Sequence, residues 1–312
     1  MPIDATCSWL DEAVEDLEVL VREAAPALRR RLAPAVARIA RSNGGSSVRT
    51  ALLRPGATPF VSVIDALALD LGLTGDPRVA LVGRSTLLLY LYVRLQDDLV
   101  DEEALVDRPT VFAMELVLSR HLELLSMANP PPSVWTRRSR CMARFADASA
   151  EEADARVDAV GLSPERVGEK FLAMAVPLVA LASLAGRDEL HDAAEDLVVH
   201  AGTALQMIND VLNGPEDLLA GRTTPFLRWF GPPAVPPEIG DAGAFVASMR
   251  ASMFGHQATR RAVDLAERTA ANARDRAASH GLTHLAASME ALQVSARRTE
   301  ERLFGLLVGE QV

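Results

Sequence analysis

Two polar segments of this chain repeat oxygen-bearing side chains at one-turn helical spacing, each directly after a long apolar run. The first is Tyr92-Val93-Arg94-Leu95-Gln96-Asp97-Asp98-Leu99-Val100-Asp101. On a helix, Asp97 and Asp101 stack on one face, where two like charges repel. A divalent cation between them reverses the sign of that term. Hard carboxylate oxygens suit magnesium, which takes one or two carboxylates and fills its shell with water and phosphate oxygens. The second segment is Gln206-Met207-Ile208-Asn209-Asp210-Val211-Leu212-Asn213, with Asp217 one further turn along. Asn209 and Asn213 repeat the four-residue spacing. Each segment alone also reads as a solvated polar helix end. Together they lie about a hundred residues apart, far enough for their helices to face each other across a cavity.

The charge balance bears on what such a site would hold. The 312 residues carry a formal net charge of −10, which excludes the basic footprint of a nucleic-acid binder. An anionic substrate would need cations to mediate its contact, and bridging magnesium supplies them. The chain is 49% hydrophobic and 24% charged, ordinary for a globular protein. Its two cysteines, Cys7 and Cys141, make neither a disulfide framework nor a zinc motif, so reduced thiols and a cytoplasmic location are expected. The acidic amphipathic start is unlike a signal peptide. No apolar run reaches the ~18 residues of a membrane span.

The elements that position these segments read as helices. Helical periodicity and strong helix formers predict helices over 9–41, 60–73, 78–105, 110–128, 133–160, 164–185, 189–213, 241–279 and 282–309. The 189–213 helix is expected to stop at Gly214-Pro215, and 241–279 to split near Gly255. Ser163 reads as an N-cap, with Pro164 first in the helix and Glu165 in the first turn. Pro177, inside an apolar helix, is expected to kink it. No strand alternation stands out. One all-α domain of about ten helices, spanning 1–312, is the simplest architecture.

At this point the sequence resembles the class I isoprenoid synthases, which include trans-prenyl diphosphate synthases, terpene cyclases and squalene/phytoene synthases. Asp97-Asp98-Leu99-Val100-Asp101 matches their aspartate-rich DDxxD motif, and Tyr92-x-Arg94-x-x-Asp97-Asp98 is similar to the squalene/phytoene version. Gln206 to Asn213 falls in the register of the prenyl synthase motif QxxDDxxD, with Asn replacing two Asp. Asn209, Asn213 and Asp217 also fall in the register of the cyclase NDxx(S/T)xxxE triad, with Glu216 the alternative last ligand. Glu216-Asp217-Leu218-Leu219-Ala220-Gly221-Arg222 resembles the ED-x-x-x-GR stretch, and Lys170 the diphosphate-contacting lysine.

The resemblance implies a helical bundle around an apolar cavity and an enzyme that ionises a prenyl diphosphate with magnesium, about three ions in all. Asp97, Asp98 and Asp101 would be the catalytic aspartates. Asp97 and Asp101 would hold metal on one wall, and Asn209, Asn213 and Asp217 on the other. Arg94, Lys170 and Arg222 would clamp the diphosphate. Leu87, Tyr90, Leu91, Phe171, Met174, Met207 and Phe226 would line the pocket. A homodimer is the family default.

Two departures bear on the reaction. Arg49 to Pro59 has no counterpart of the basic Gly-Lys-x-Arg segment that holds isopentenyl diphosphate. Asp107-Arg108-Pro109 replaces the Arg-Arg-Gly run after the first motif. Both weigh towards a terpene synthase, a lyase that cyclises or rearranges the cation. The alternatives are a chain-elongating or head-to-head prenyl transferase, or a non-catalytic partner subunit. The low aromatic content, 4%, weighs against a cyclase.

Overall fold

Proline and glycine punctuate the chain into fourteen described α-helices. The computed structural model describes residues 8–42, 47–52, 59–101, 108–155, 162–219, 224–230, 242–255 and 257–308. Among them the helices are α1 (Ser8–Glu23), α2 (Pro26–Ser42), α3 (Val48–Leu52), α4 (Pro59–Asp70), α5 (Pro77–Asp101), α6 (Arg108–Met127) and α7 (Pro132–Ala155). There follow α8 (Pro164–Glu169), α9 (Ala175–Leu184), α10 (His191–Leu219), α11 (Pro225–Phe230), α12 (Ala242–Gly255), α13 (Ala258–Ser279) and α14 (Thr283–Val308). No strand occurs among the described residues. No helix in them is long and apolar enough to cross a membrane.

Helix α5 packs against α1, α4, α6, α7 and α9, and α10 against α8, α9, α13 and α14. Leu87, Leu88, Leu89 and Leu91 of α5 are fully buried, as are Leu172, Leu181 and Met207. They belong to one core that joins both halves of the chain. A smaller cluster gathers Val211, Phe226, Met249, Met253 and Leu303 around the far end of α10. Burial of this apolar surface supplies the main driving force for folding.

The expected elements hold where they are described, with residues 102–105, 156–160, 241, 256 and 309 of the expected helices outside the described residues; α3 and α11 are additional helices, and three expected ones differ. The 9–41 helix is two, because Pro26 disfavours helix in the residue before it and opens α2. Arg29 seals the break by donating to the carbonyls of Val21, Arg22 and Ala24, the orphan acceptors at the end of α1.

The 164–185 helix is also broken, at 170–174 rather than at Pro177. Pro177 has no amide to bond back to residue 173, and its ring crowds that carbonyl. The chain answers with a 3-10 turn over Leu172–Met174 and restarts as α9, leaving Pro177 in a first turn where no donor is missed.

The third difference is in α10, which runs through Gly214-Pro215 to Leu219 instead of stopping there. Both residues are buried, and Gly214 lies against the Phe226 ring, which a Cβ would approach to 3.1 Å. Packing against α11 thus overrides the local preference. The split near Gly255 is present, with Gln257 in the left-handed region at φ 58°. So is the Ser163 cap, whose hydroxyl accepts from the Arg166 amide at 3.2 Å.

Candidate active site

The break between α8 and α9 places Lys170. The lysine caps the end of α8, just before the 3-10 turn. Helix α8 lies hard against α10: a Cβ on Gly168 would come within 2.1 Å of the Val199 carbonyl oxygen. Gly202 gives the same closeness to the Phe171 ring, which stacks on Phe60 at 5.5 Å between centroids. A residue with any side chain at 168 or 202 would push Lys170 away from α10.

Lys170 is 7% exposed, with two carboxylates against it and a third within reach of its charge. Its ammonium is ion-paired with Glu152 on α7, itself 5% exposed. It lies 3.5 Å from Asp97 Oδ1, and its charge also reaches Asp210 on α10. Arg94, one turn before Asp97, sits 3.6 Å from the other Asp97 oxygen. The end of α5 therefore meets a buried ammonium whose charge also reaches Asp210 on the polar strip of α10.

Asp210 is 1% exposed, and burial pushes its carboxyl up to about 7. Opposing that shift, it accepts from Gln206 Nε2 at 2.7 Å and from the Phe226 amide at 3.2 Å. The Lys170 charge also opposes it, while Glu152 adds to it. Asn209 and Asn213 are exposed on the next strip of the helix, where Asn213 Nδ2 donates to Asn209 Oδ1 at 3.0 Å. Glu216 turns to Arg250 on α12. Asp217 is half-buried.

Of the residues singled out from sequence, the structure brings together Arg94, Asp97 and Lys170. Asp98 and Asp101 are in the last turn of α5, and their side chains lie outside the described part; Arg222 lies outside the described residues altogether. Leu87, Leu91, Met174 and Met207 are packed in the main core, with Tyr90 and Phe171 against it. Phe226 belongs to the smaller cluster.

Two site residues escaped the sequence reading. Asp210 was passed over as the neighbour of Asn209. Glu152 carries a readable signal, because it continues the buried stripe Cys141, Phe145, Ala148 of α7 at helical spacing. A carboxylate on an apolar stripe needs a buried partner.

A charge lattice fixes the frame around Lys170. Glu195 of α10, 4% exposed, accepts from Arg137, Arg140 and Arg144 of α7 at 2.9, 2.7 and 3.1 Å. Arg144 also donates to Glu169 at 2.6 Å, and Glu169 pairs with Arg166, which reaches back to Glu151 at 2.6 Å. Residues 151 and 169 are the immediate neighbours of Glu152 and Lys170, so the lattice grips both ends of the buried pair.

Neither a protein-family model nor a curated protein matches the sequence. Solved structures do match over nearly their whole length. A polyprenyl synthase from Caulobacter crescentus, complexed with calcium and isoprenyl diphosphate, superposes with a TM-score of 0.61 at 18% identity, covering 89% of this chain and 97% of its own. A geranylgeranyl pyrophosphate synthase from Corynebacterium glutamicum, complexed with isoprenyl diphosphate and magnesium, gives 0.57 at 15%, covering 95% and 97%. Geranyltranstransferase from Thermotoga maritima gives 0.54 at 15%, covering 92% and 97%. These are prenyl-chain synthases and a transferase by name, and they overturn the expectation of a terpene synthase lyase. The chain has the all-α fold of the isoprenoid synthases.

Proposed function

We propose that the chain is a magnesium-dependent prenyl transferase that elongates an allylic diphosphate. The observation that carries this reading is the buried Lys170 ammonium, 3.5 Å from Asp97 of the first polar segment, with its charge reaching Asp210 of the second. The named neighbours support the reaction class. The donor set suits a hard cation: a part-exposed Asp97 carboxylate on one side, accessible Asn209 and Asn213 amide oxygens on the other, with no thiol or imidazole among them. Asp97 and Asp101 would hold magnesium on the first wall, and Asn209, Asn213 and Asp217 on the second. Bound there, magnesium would neutralise the charge that grows on the leaving diphosphate.

Lys170 and Arg94 would bind diphosphate oxygens directly, two donors already aimed at the Asp97 side. The buried leucines and methionines behind them would keep water from the allylic cation. The C1–O bond of the allylic substrate breaks, the acceptor double bond attacks C1, and a proton leaves the adjacent carbon. A head-to-head condensation is the second reading. It is favoured by Arg94 beside Asp97 and by the missing Gly-Lys-x-Arg segment, since two allylic substrates need no isopentenyl site.

The test is incubation with magnesium and geranyl, farnesyl or geranylgeranyl diphosphate, with and without isopentenyl diphosphate. Pyrophosphate release and product mass are the readouts. A longer diphosphate formed only with isopentenyl diphosphate supports elongation; a doubled hydrocarbon supports head-to-head coupling. Silence with every substrate points to a non-catalytic partner subunit and sinks the proposal. Asp97→Ala should abolish turnover, at least a hundredfold, with the melting temperature nearly unchanged.

A further inference from the structure

The pairing of Lys170 is unusual for a group meant to bind an anion. Its ammonium and the Glu152 carboxylate are both almost fully buried and in direct contact, while Asp97 stands farther off at 3.5 Å. Asp210 adds a third acid within charge reach of both. The lattice through Glu151, Arg166 and Glu169 holds the backbone on each side of the pair.

We propose that Glu152 is a positioning residue that reserves the Lys170 ammonium, so that the site accepts a diphosphate only when a divalent cation accompanies it. The inference rests on the reading of this site as a diphosphate site. A metal-free diphosphate entering here meets Asp97 and Glu152, and the two cations described beside them already face carboxylates, Lys170 that of Glu152 and Arg94 that of Asp97. With the cations answered, the site offers a free diphosphate no net positive charge, and repulsion from the two carboxylates is stronger in a poorly hydrated site than in water. When a divalent ion takes up the Asp97 charge, that balance turns positive. Lys170 has three N–H donors, so it can turn one to a phosphate oxygen while its charge stays beside Glu152. Removing the Glu152 charge releases the ammonium and relaxes the requirement for metal.

The experiment measures binding of inorganic pyrophosphate to the full-length protein by calorimetry, in EDTA and in magnesium. Wild type is expected to bind pyrophosphate in magnesium and to bind at least tenfold more weakly in EDTA. Glu152→Gln should gain at least tenfold in EDTA, a gain that loss of structure cannot mimic. Glu152→Asp should keep the wild-type dependence on metal. The gain should vanish in Glu152→Gln/Lys170→Met, because the effect acts through the ammonium. Unchanged or weaker binding by Glu152→Gln in EDTA overturns the proposal, as does a gain that survives in the double variant. Wild type that binds pyrophosphate equally well in EDTA also overturns it. Absence of binding by wild type in magnesium would instead overturn the diphosphate site itself.

Discussion

Two regions of the molecule treat buried charge in opposite ways. Between α7, α8 and α10, Glu195, Arg144, Glu169 and Arg166 answer one another in a continuous run of pairs. Between α5, α6 and α7, polar atoms are buried with no partner among the described residues. His121 is wholly buried; its Nδ1 meets Ser85 Oγ at 2.8 Å and the Ser85 carbonyl at 3.0 Å, but Nε2 has none. Arg138 is half-buried, and its Nε is likewise unanswered. Burial pushes His121 down to about 4, with the Arg138 charge adding to the shift against the Ser85 carbonyl. The paired region therefore gains rigidity from its charges, whereas the unpaired region must keep His121 neutral to stay folded.

The largest effect is expected where the paired region packs most closely. In Gly168→Ala the new methyl would meet a main-chain oxygen that cannot rotate away, costing about 3 kcal/mol or more by denaturant unfolding. A loss under 1 kcal/mol would show that α8 is not clamped on α10.

A pH effect of similar size should come from the unpaired region. The folded pKa of His121, about 4, lies below its ordinary 6.5, so the unfolded chain takes up the proton first. The associated stability is present above about pH 6.5 and is lost as pH falls towards 4, about 3 kcal/mol in all. His121→Gln should flatten that part of the stability profile. An unchanged profile would mean that the ring is protonated and answered in the native state.

Next comes Glu195→Ala, which leaves three guanidinium groups facing one another around a lost carboxylate. They are partly exposed, so solvent screens them, and the cost should be about 2 kcal/mol. The smallest change is Arg138→Met, which removes an unanswered donor and keeps the aliphatic stem. It should be neutral, or stabilising by about 0.5–1 kcal/mol. A clear loss would reveal a partner for Arg138 and erase the contrast.

Much of the fold was legible because helical periodicity and proline or glycine breaks are local signals. Ser163-Pro164 marked the start of α8, and Gly255 the gap before α13. What misled was tertiary. Gly214-Pro215 looked like a stop, yet the Phe226 ring packed on Gly214 carries the helix through it. At the site, Asp97 and Lys170 could be picked out by motif. Glu152 matches no motif; what marks it is its place on the buried stripe of α7, while its partner lies eighteen residues on, at the end of the next helix. Asp210 was hidden by its neighbour: adjacent residues on a helix point about 100° apart, so one can be exposed while the other is buried.

The break at 170–174 has one more consequence. Pro177 cannot donate an amide hydrogen to residue 173, so the covalent chain favours an interruption there, one that packing does not override as it does at Pro215. The address of the site's ammonium is set by a residue seven places downstream, with no contact between the two required. Substitution of Pro177 would let α8 and α9 grow into one rod. Each residue added to that rod would swing Lys170 about 100° around its axis. The influence would travel as a change of helical phase.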